Sequence, residues 1–182
     1  MRCWIRTPFS VDRNLGKVYN EEMEMIPDND AACFIDGDLC FLTPDYGKIL
    51  NDYVNAHPES VLICQTNRIH ELSKFQNANM PDADIKDCIR HAEYVRNNPY
   101  AVTKVPAVGS ISGFLLVVPK SVWDKHKFSE VNTYKPGQPN LLGVDNEWTN
   151  RIRANGVEIL RMEKLFVWHS YRILTGSKAH LQ

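Results

Sequence analysis

The stretch Ala31-Ala32-Cys33-Phe34-Ile35-Asp36-Gly37-Asp38 decides how the chain reads. An apolar run follows Asn29-Asp30 and stops at two carboxylates separated by one glycine. Short apolar runs bounded in this way are buried strands. Asp36 and Asp38 then sit just past a strand's carboxyl end, where open α/β sheets bind ligands. Two acids this close repel each other, and a divalent cation, which takes hard oxygen ligands, accounts for the pair. A plain turn accounts for it as well, because Asp and Gly are common turn formers. An EF-hand is excluded by spacing, since no run of alternating acids ends in a glutamate at the required position.

Outward from this strand, apolar periodicity alternates between short runs and helical stripes. Residues 2–7 form a first strand closed by Pro8. Leu15, Val18, Tyr19, Met23 and Ile26 share one face of a helix capped by Asp12 or Asn14. Thr43-Pro44 opens the next helix, with Tyr46, Ile49, Leu50 and Tyr53 as its stripe. Residues 61–64 are a short buried strand, and the polar, irregular stretch 65–83 is suited to wrapping a ligand cleft. Residues 84–96 form an amphipathic helix with Ile85, Cys88, Ile89, Ala92 and Val95 inward. Residues 113–118 are the strongest strand, followed by a helical turn at 121–126. The stretch 129–142, with Pro136, Gly137 and Pro139, is a loop. Val144, Trp148 and Ile152 mark a helix ending at Asn155-Gly156, and two short strands at 157–162 and 165–168 close the pattern. The alternation predicts one layered α/β domain over residues 1–182, with a central mixed, mostly parallel sheet flanked by helices.

Composition limits the partners. A formal charge of −1 gives no whole-chain attraction for nucleic acid or an anionic membrane, and no nucleic-acid partner is indicated. The longest wholly apolar run, residues 114–118, is too short to span a bilayer. Arg2 and Arg6 interrupt any signal-peptide pattern. The five cysteines are odd in number and lack CxxC spacing, which favours buried thiols over zinc or disulfides. A cytoplasmic placement is expected.

Two further segments carry chemistry. In Gly143-Val144-Asp145-Asn146-Glu147-Trp148, acids in a first helical turn are stabilised by the helix dipole. Alternatively, Asp145 is a general base at a cleft edge, taking a proton from a hydroxyl. Trp148, in line with Val144 and Ile152, reads as core. In Phe166-Val167-Trp168-His169-Ser170-Tyr171-Arg172, His169 ends an apolar strand. It is either a hydrogen-bonded structural residue or an imidazole donor to the cation of the acid pair.

Taken in order, these segments resemble GT-A fold glycosyltransferases, most nearly glycosyltransferase family 2. Asn14-Leu15-Gly16-Lys17-Val18-Tyr19-Asn20 resembles the family's Asn-x-Gly helix, and Phe34-Ile35-Asp36-Gly37-Asp38 its D-x-D strand. Ser112-Gly113-Phe114-Leu115-Leu116-Val117-Val118 resembles the glycine-led strand before the catalytic helix. Residues 143–151 resemble its Glu-Asp-x-Asp-Leu-x-x-Arg segment, and residues 157–169 its closing hairpin ending in histidine. Two departures stand out. Val144 occupies the place of the family's usual Glu, and the N-terminal part is shortened, without the usual second strand.

The resemblance implies a metal-dependent, inverting transfer of sugar from a nucleotide-diphosphate sugar, a UDP-sugar foremost, to an acceptor hydroxyl. Asp145 is then the general base. Asp38 and His169, with Asp36, are the implied ligands of Mn2+ or Mg2+. Arg6, Thr7, Pro8, Asn14, Lys17, Asp36, Gly37 and Arg172 fall on the donor side, and Ser112, Gly113 and Glu147 on the acceptor side. Coulomb's law agrees with a metal. Each unit-charge pair of diphosphate and carboxylate at about 4 Å costs about 4 kcal/mol at an effective dielectric near 20. The alternatives are a sugar nucleotidyltransferase, disfavoured because residues 7–13 contain no glycine, and a non-catalytic nucleotide-sugar-binding module. A haloacid dehalogenase-type phosphatase ranks last, because Leu39-Cys40 follows Asp38 where that class has Gly-Thr.

Overall fold

The computed structural model describes residues 1–70, 72–80, 83–132, 137 and 143–170. In chain order its elements are β1 (Cys3–Arg6), α1 (Leu15–Glu24), β2 (Ala31–Ile35), β3 (Leu39–Phe41), α2 (Tyr46–Ala56), β4 (Val61–Thr66), α3 (Ile85–Arg96), β5 (Val102–Lys104), β6 (Leu115–Pro119), α4 (Lys120–Lys125), α5 (Val144–Ala154) and β7 (Ile159–His169). The strands form one open, mixed sheet in the order β1-β2-β6-β4-β7-β3, with β5 also paired to β7.

A mostly parallel sheet is not what the chain builds. Only β1/β2 and β4/β7 pair in parallel. The pairings β2/β6, β4/β6, β3/β7 and β5/β7 are antiparallel. The chain reverses at the tight turn before β3 and again between β4 and β5, where α3 intervenes. β5 and β6 then run the same way, both opposite to β4 and β7, and β6 enters in that direction between β2 and β4.

The expected closing hairpin is likewise one continuous strand. β7 pairs with β4 through Arg161 and again from Phe166, with an irregularity between the two stretches. The backbone groups of that irregular segment find partners elsewhere. The Tyr53 hydroxyl accepts from Lys164 N–H, Ala101 O accepts from Glu163 N–H, and Asn98 Nδ2 donates to Glu163 O. With these bonds made, the chain can bulge and continue without turning back. The free edge of β7 then receives β5 at its start and β3 at its end.

Alternation along β2 explains its unbroken apolar run. Ala32 and Phe34 face a core shared with Tyr19 and Met23 of α1 and Trp148 and Ile152 of α5. Ala31 and Cys33 face Ile49, Leu50, Tyr53 and Val54 of α2. Both faces are covered, as a fully buried strand requires. Trp148 is core, as its spacing predicts.

Smaller expectations shift. α2 starts at Tyr46 rather than Pro44, because Thr43 O accepts Tyr46 N–H in a turn that precedes the helix. On α3, Cys88, Ala92 and Val95 are buried, but Ile85 and Ile89 are exposed. All five cysteines are free, with Cys33, Cys64 and Cys88 buried. Among the described residues no helix is long and apolar enough to cross a membrane.

Candidate functional site

Asp36-Gly37-Asp38 is a turn whose two carboxylates belong to a cluster that could hold a metal ion. Asp36 N–H donates to Phe114 O (3.0 Å), and Asp36 O accepts from Leu39 N–H (3.2 Å). The chain then reverses into β3, where Leu39 pairs with His169. That register places Asp38 against the end of β7. Ser170 fixes it there, donating from its N–H to Asp38 O (3.1 Å) and from Oγ to Asp38 Oδ2 (3.0 Å).

His169 Nε2 lies 3.2 Å from Asp38 Oδ1 and 3.7 Å from Asp36 Oδ2. The backbone N–H of His169 donates to Asn67 Oδ1 (2.8 Å), and its ring stacks on Phe114 with centroids 5.2 Å apart. The imidazole is only 2% exposed, whereas water reaches about half of each carboxylate side chain. Burial pushes the His169 pKa down, opposed by Asp38. The neutral imidazole that results is the form that ligates metals. The Asp36 carboxyl is pushed up to about 6, first by burial and then by the charges of Asp38 and Asp145. One ligand atom from each of Asp36, Asp38 and His169 lies within 4.8 Å of the others. Two carboxylates and an imidazole fit a divalent cation, and its charge would relieve the repulsion that raises Asp36.

Asp145 sits in the first turn of α5 behind Gly143, whose φ of 86° is left-handed. Its Oδ2 accepts from Gly113 N–H at 2.6 Å, and its Oδ1 accepts from Asn146 N–H at 2.9 Å. The approach to Gly113 is possible only because that residue has no side chain: a Cβ there would meet Asp145 Cβ at 3.0 Å and Oδ2 at 3.2 Å. Gln76, fully buried, holds both backbone groups of the preceding residue, Ser112. Its Oε1 accepts from Ser112 N–H (2.8 Å) and its Nε2 donates to Ser112 O (2.9 Å). Burial raises the Asp145 pKa against the pull of its two amide donors. A carboxylate so held is a stronger base than a solvated one.

Asp36 and Asp145 both line a cleft of about 380 Å³, together with Leu15, Tyr19, Ser73, Ser112, Gly113 and Asn146 among others. No Lys or Arg among the described residues lines it. An anionic ligand therefore needs another source of positive charge.

The structure gathers Asp38, His169 and Asp36 into one set, and Asp36, Ser112, Gly113 and Asp145 around one cleft. Gly113 proves to be the residue that holds Asp145. Thr7 places its methyl 4.0 Å from where a Gly37 Cβ would lie, so the end of β1 abuts the turn, and half-buried Pro8 follows it. Other residues are engaged elsewhere. Arg6 pairs with Glu22 (3.2 Å), and Lys17 lies near Glu21 (3.7 Å) and Asp12 (4.0 Å). Asn14 caps α1 by accepting from Lys17 N–H (3.1 Å) and also donates to Glu130 O (2.9 Å). Glu147 pairs with Arg151 (2.8 Å). Arg172 and most of the 129–142 loop lie outside the described residues.

Two residues of the site carry no motif. Gln76 falls in the polar 65–83 stretch, where its burial has no periodic signal. Tyr19 falls on the apolar stripe of α1, and only its polar tip separates it from its neighbours. No protein-family model and no curated protein matches the chain.

Proposed function

We propose that the protein is a metal-dependent glycosyltransferase of GT-A type that moves a sugar from a nucleotide-diphosphate sugar to an acceptor hydroxyl with inversion. One observation carries this reading. A carboxylate held by backbone amides lines the same cleft as Asp36, which also belongs to a two-carboxylate, one-imidazole cluster. The open mixed sheet flanked by helices, with the acids at a strand's carboxyl end, is compatible with such a fold.

Asp38, His169 and Asp36 would hold Mn2+ or Mg2+, which when bound supplies the positive charge that a leaving diphosphate needs. Asp145 takes the proton from the acceptor hydroxyl as its oxygen bonds to the anomeric carbon. The bond from that carbon to the diphosphate oxygen breaks, and its electron pair leaves with the diphosphate. Gly113 N–H and Asn146 N–H keep the Asp145 carboxylate oriented throughout. Attack by that oxygen from the face away from the leaving diphosphate inverts the centre.

Asp145→Asn keeps an acceptor oxygen for Gly113 N–H and removes only the base. Turnover of a nucleotide sugar is expected to fall by about 10²–10⁴-fold, with Mn2+-dependent binding of UDP intact by calorimetry. Turnover at the wild-type rate would show that Asp145 is not the base.

A further inference from the structure

Tyr19 is built into the core everywhere except at its hydroxyl. The residue is 3% exposed, its ring packed edge-on against Phe34 at 4.7 Å and stacked on Phe128 at 4.6 Å. Those contacts fix the ring. Tyr19 nevertheless lines the cleft, and its phenol feels the charges of both Asp145 and Asp36. No group among the described residues hydrogen-bonds this hydroxyl.

Buried tyrosines ordinarily find a partner for their O–H. Packing alone would be served by phenylalanine, which carries no polar atom to desolvate. Burial and the two neighbouring carboxylates hold the phenol in its protonated form, so it faces the cleft as a donor. Its position is also informative. A ligand reaching from the Asp36 side to the Asp145 side has its reacting carbon between them, beside Tyr19.

We propose that the Tyr19 hydroxyl donates a hydrogen bond to the transferred sugar of a bound nucleotide sugar, and so helps determine which sugar is accepted. This rests on the transferase reading. The diphosphate and nucleoside, held elsewhere, gain nothing from Tyr19.

The test compares wild-type protein with Tyr19→Phe, which keeps the ring and its packing. With saturating Mn2+, affinities for UDP-glucose, UDP-galactose, UDP-N-acetylglucosamine and GDP-mannose are measured by calorimetry beside those for UDP and GDP. The nucleotide sugar that wild type binds best is expected to bind Tyr19→Phe about tenfold more weakly, with nucleoside diphosphate affinity unchanged. The unchanged diphosphate affinity also reports an intact fold. Equal loss for both ligand classes, or no loss for either, overturns the role of Tyr19 while leaving the transferase reading standing. Failure of wild type to bind any of the nucleotide sugars overturns both.

Discussion

Asp36 meets repulsion from two directions, from Asp38 in its own turn and from Asp145 across the cleft, on top of burial. The pKa that results, about 6 against an ordinary 3.8, means that the folded protein holds this proton more tightly than the unfolded chain does. Between those values the folded state binds more protons, so the group's contribution to stability is lost as pH rises. The contribution is fully present below 3.8 and gone above about 6. Asp36→Asn mimics the protonated form at every pH. In metal-free buffer the variant should match wild type near the ordinary carboxyl pKa and be the more stable protein at neutral pH, as read by chemical denaturation. A stability gap that does not change with pH would contradict the electrostatic reading. At this scale the acids were legible in the sequence: Asp36 and Asp38 by their place after an apolar run, Asp145 by its helical turn, His169 by its strand end. Tyr19 and Gln76 were not, because nothing in a local pattern distinguishes a tyrosine packed for its ring from one aimed by it.

Short elements do the positioning. β3 has three residues, too few for periodicity to register, yet its pairing with Val167, Trp168 and His169 is what brings Asp38 to the imidazole. The turn Lys74–Gln76 is equally short and delivers Gln76 to Ser112. Gln76→Ala would remove both bonds to Ser112 and leave its N–H and C=O without that partner in a part-buried site. The expected loss of stability is about 2–4 kcal/mol, measured by urea unfolding, and the Gly113 N–H that holds Asp145 should lose its amide protection in hydrogen exchange. A loss well under 1 kcal/mol with unchanged protection would show the clamp to be incidental. Longer elements were read correctly where their stripes were clear, as for α1 and α5, whereas α3 was placed correctly but with Ile85 and Ile89 wrongly turned inward. The β7 irregularity was misread as a turn, because its partners Tyr53, Asn98 and Ala101 are remote in sequence.

At the scale of the whole molecule, strand–helix alternation conveyed an α/β layered domain but not its strand directions. Direction was set by a reversal between β4 and β5, which β6 keeps as it inserts antiparallel between β2 and β4. That insertion has a functional consequence: β6 carries Phe114 and Gly113 at its entry, and so ties the Asp36 turn to the Asp145 helix through adjacent residues. The assembled site gathers three carboxylates from two segments in a chain whose net charge is only −1. Without a cation it should repel the diphosphate it is proposed to hold. Calorimetric titration of UDP into the protein, with Mn2+ and then with a chelator, tests this directly, with Asp38→Ala run in parallel. The account predicts UDP binding that requires Mn2+ and is lost in Asp38→Ala; equal UDP affinity with and without the metal would contradict it.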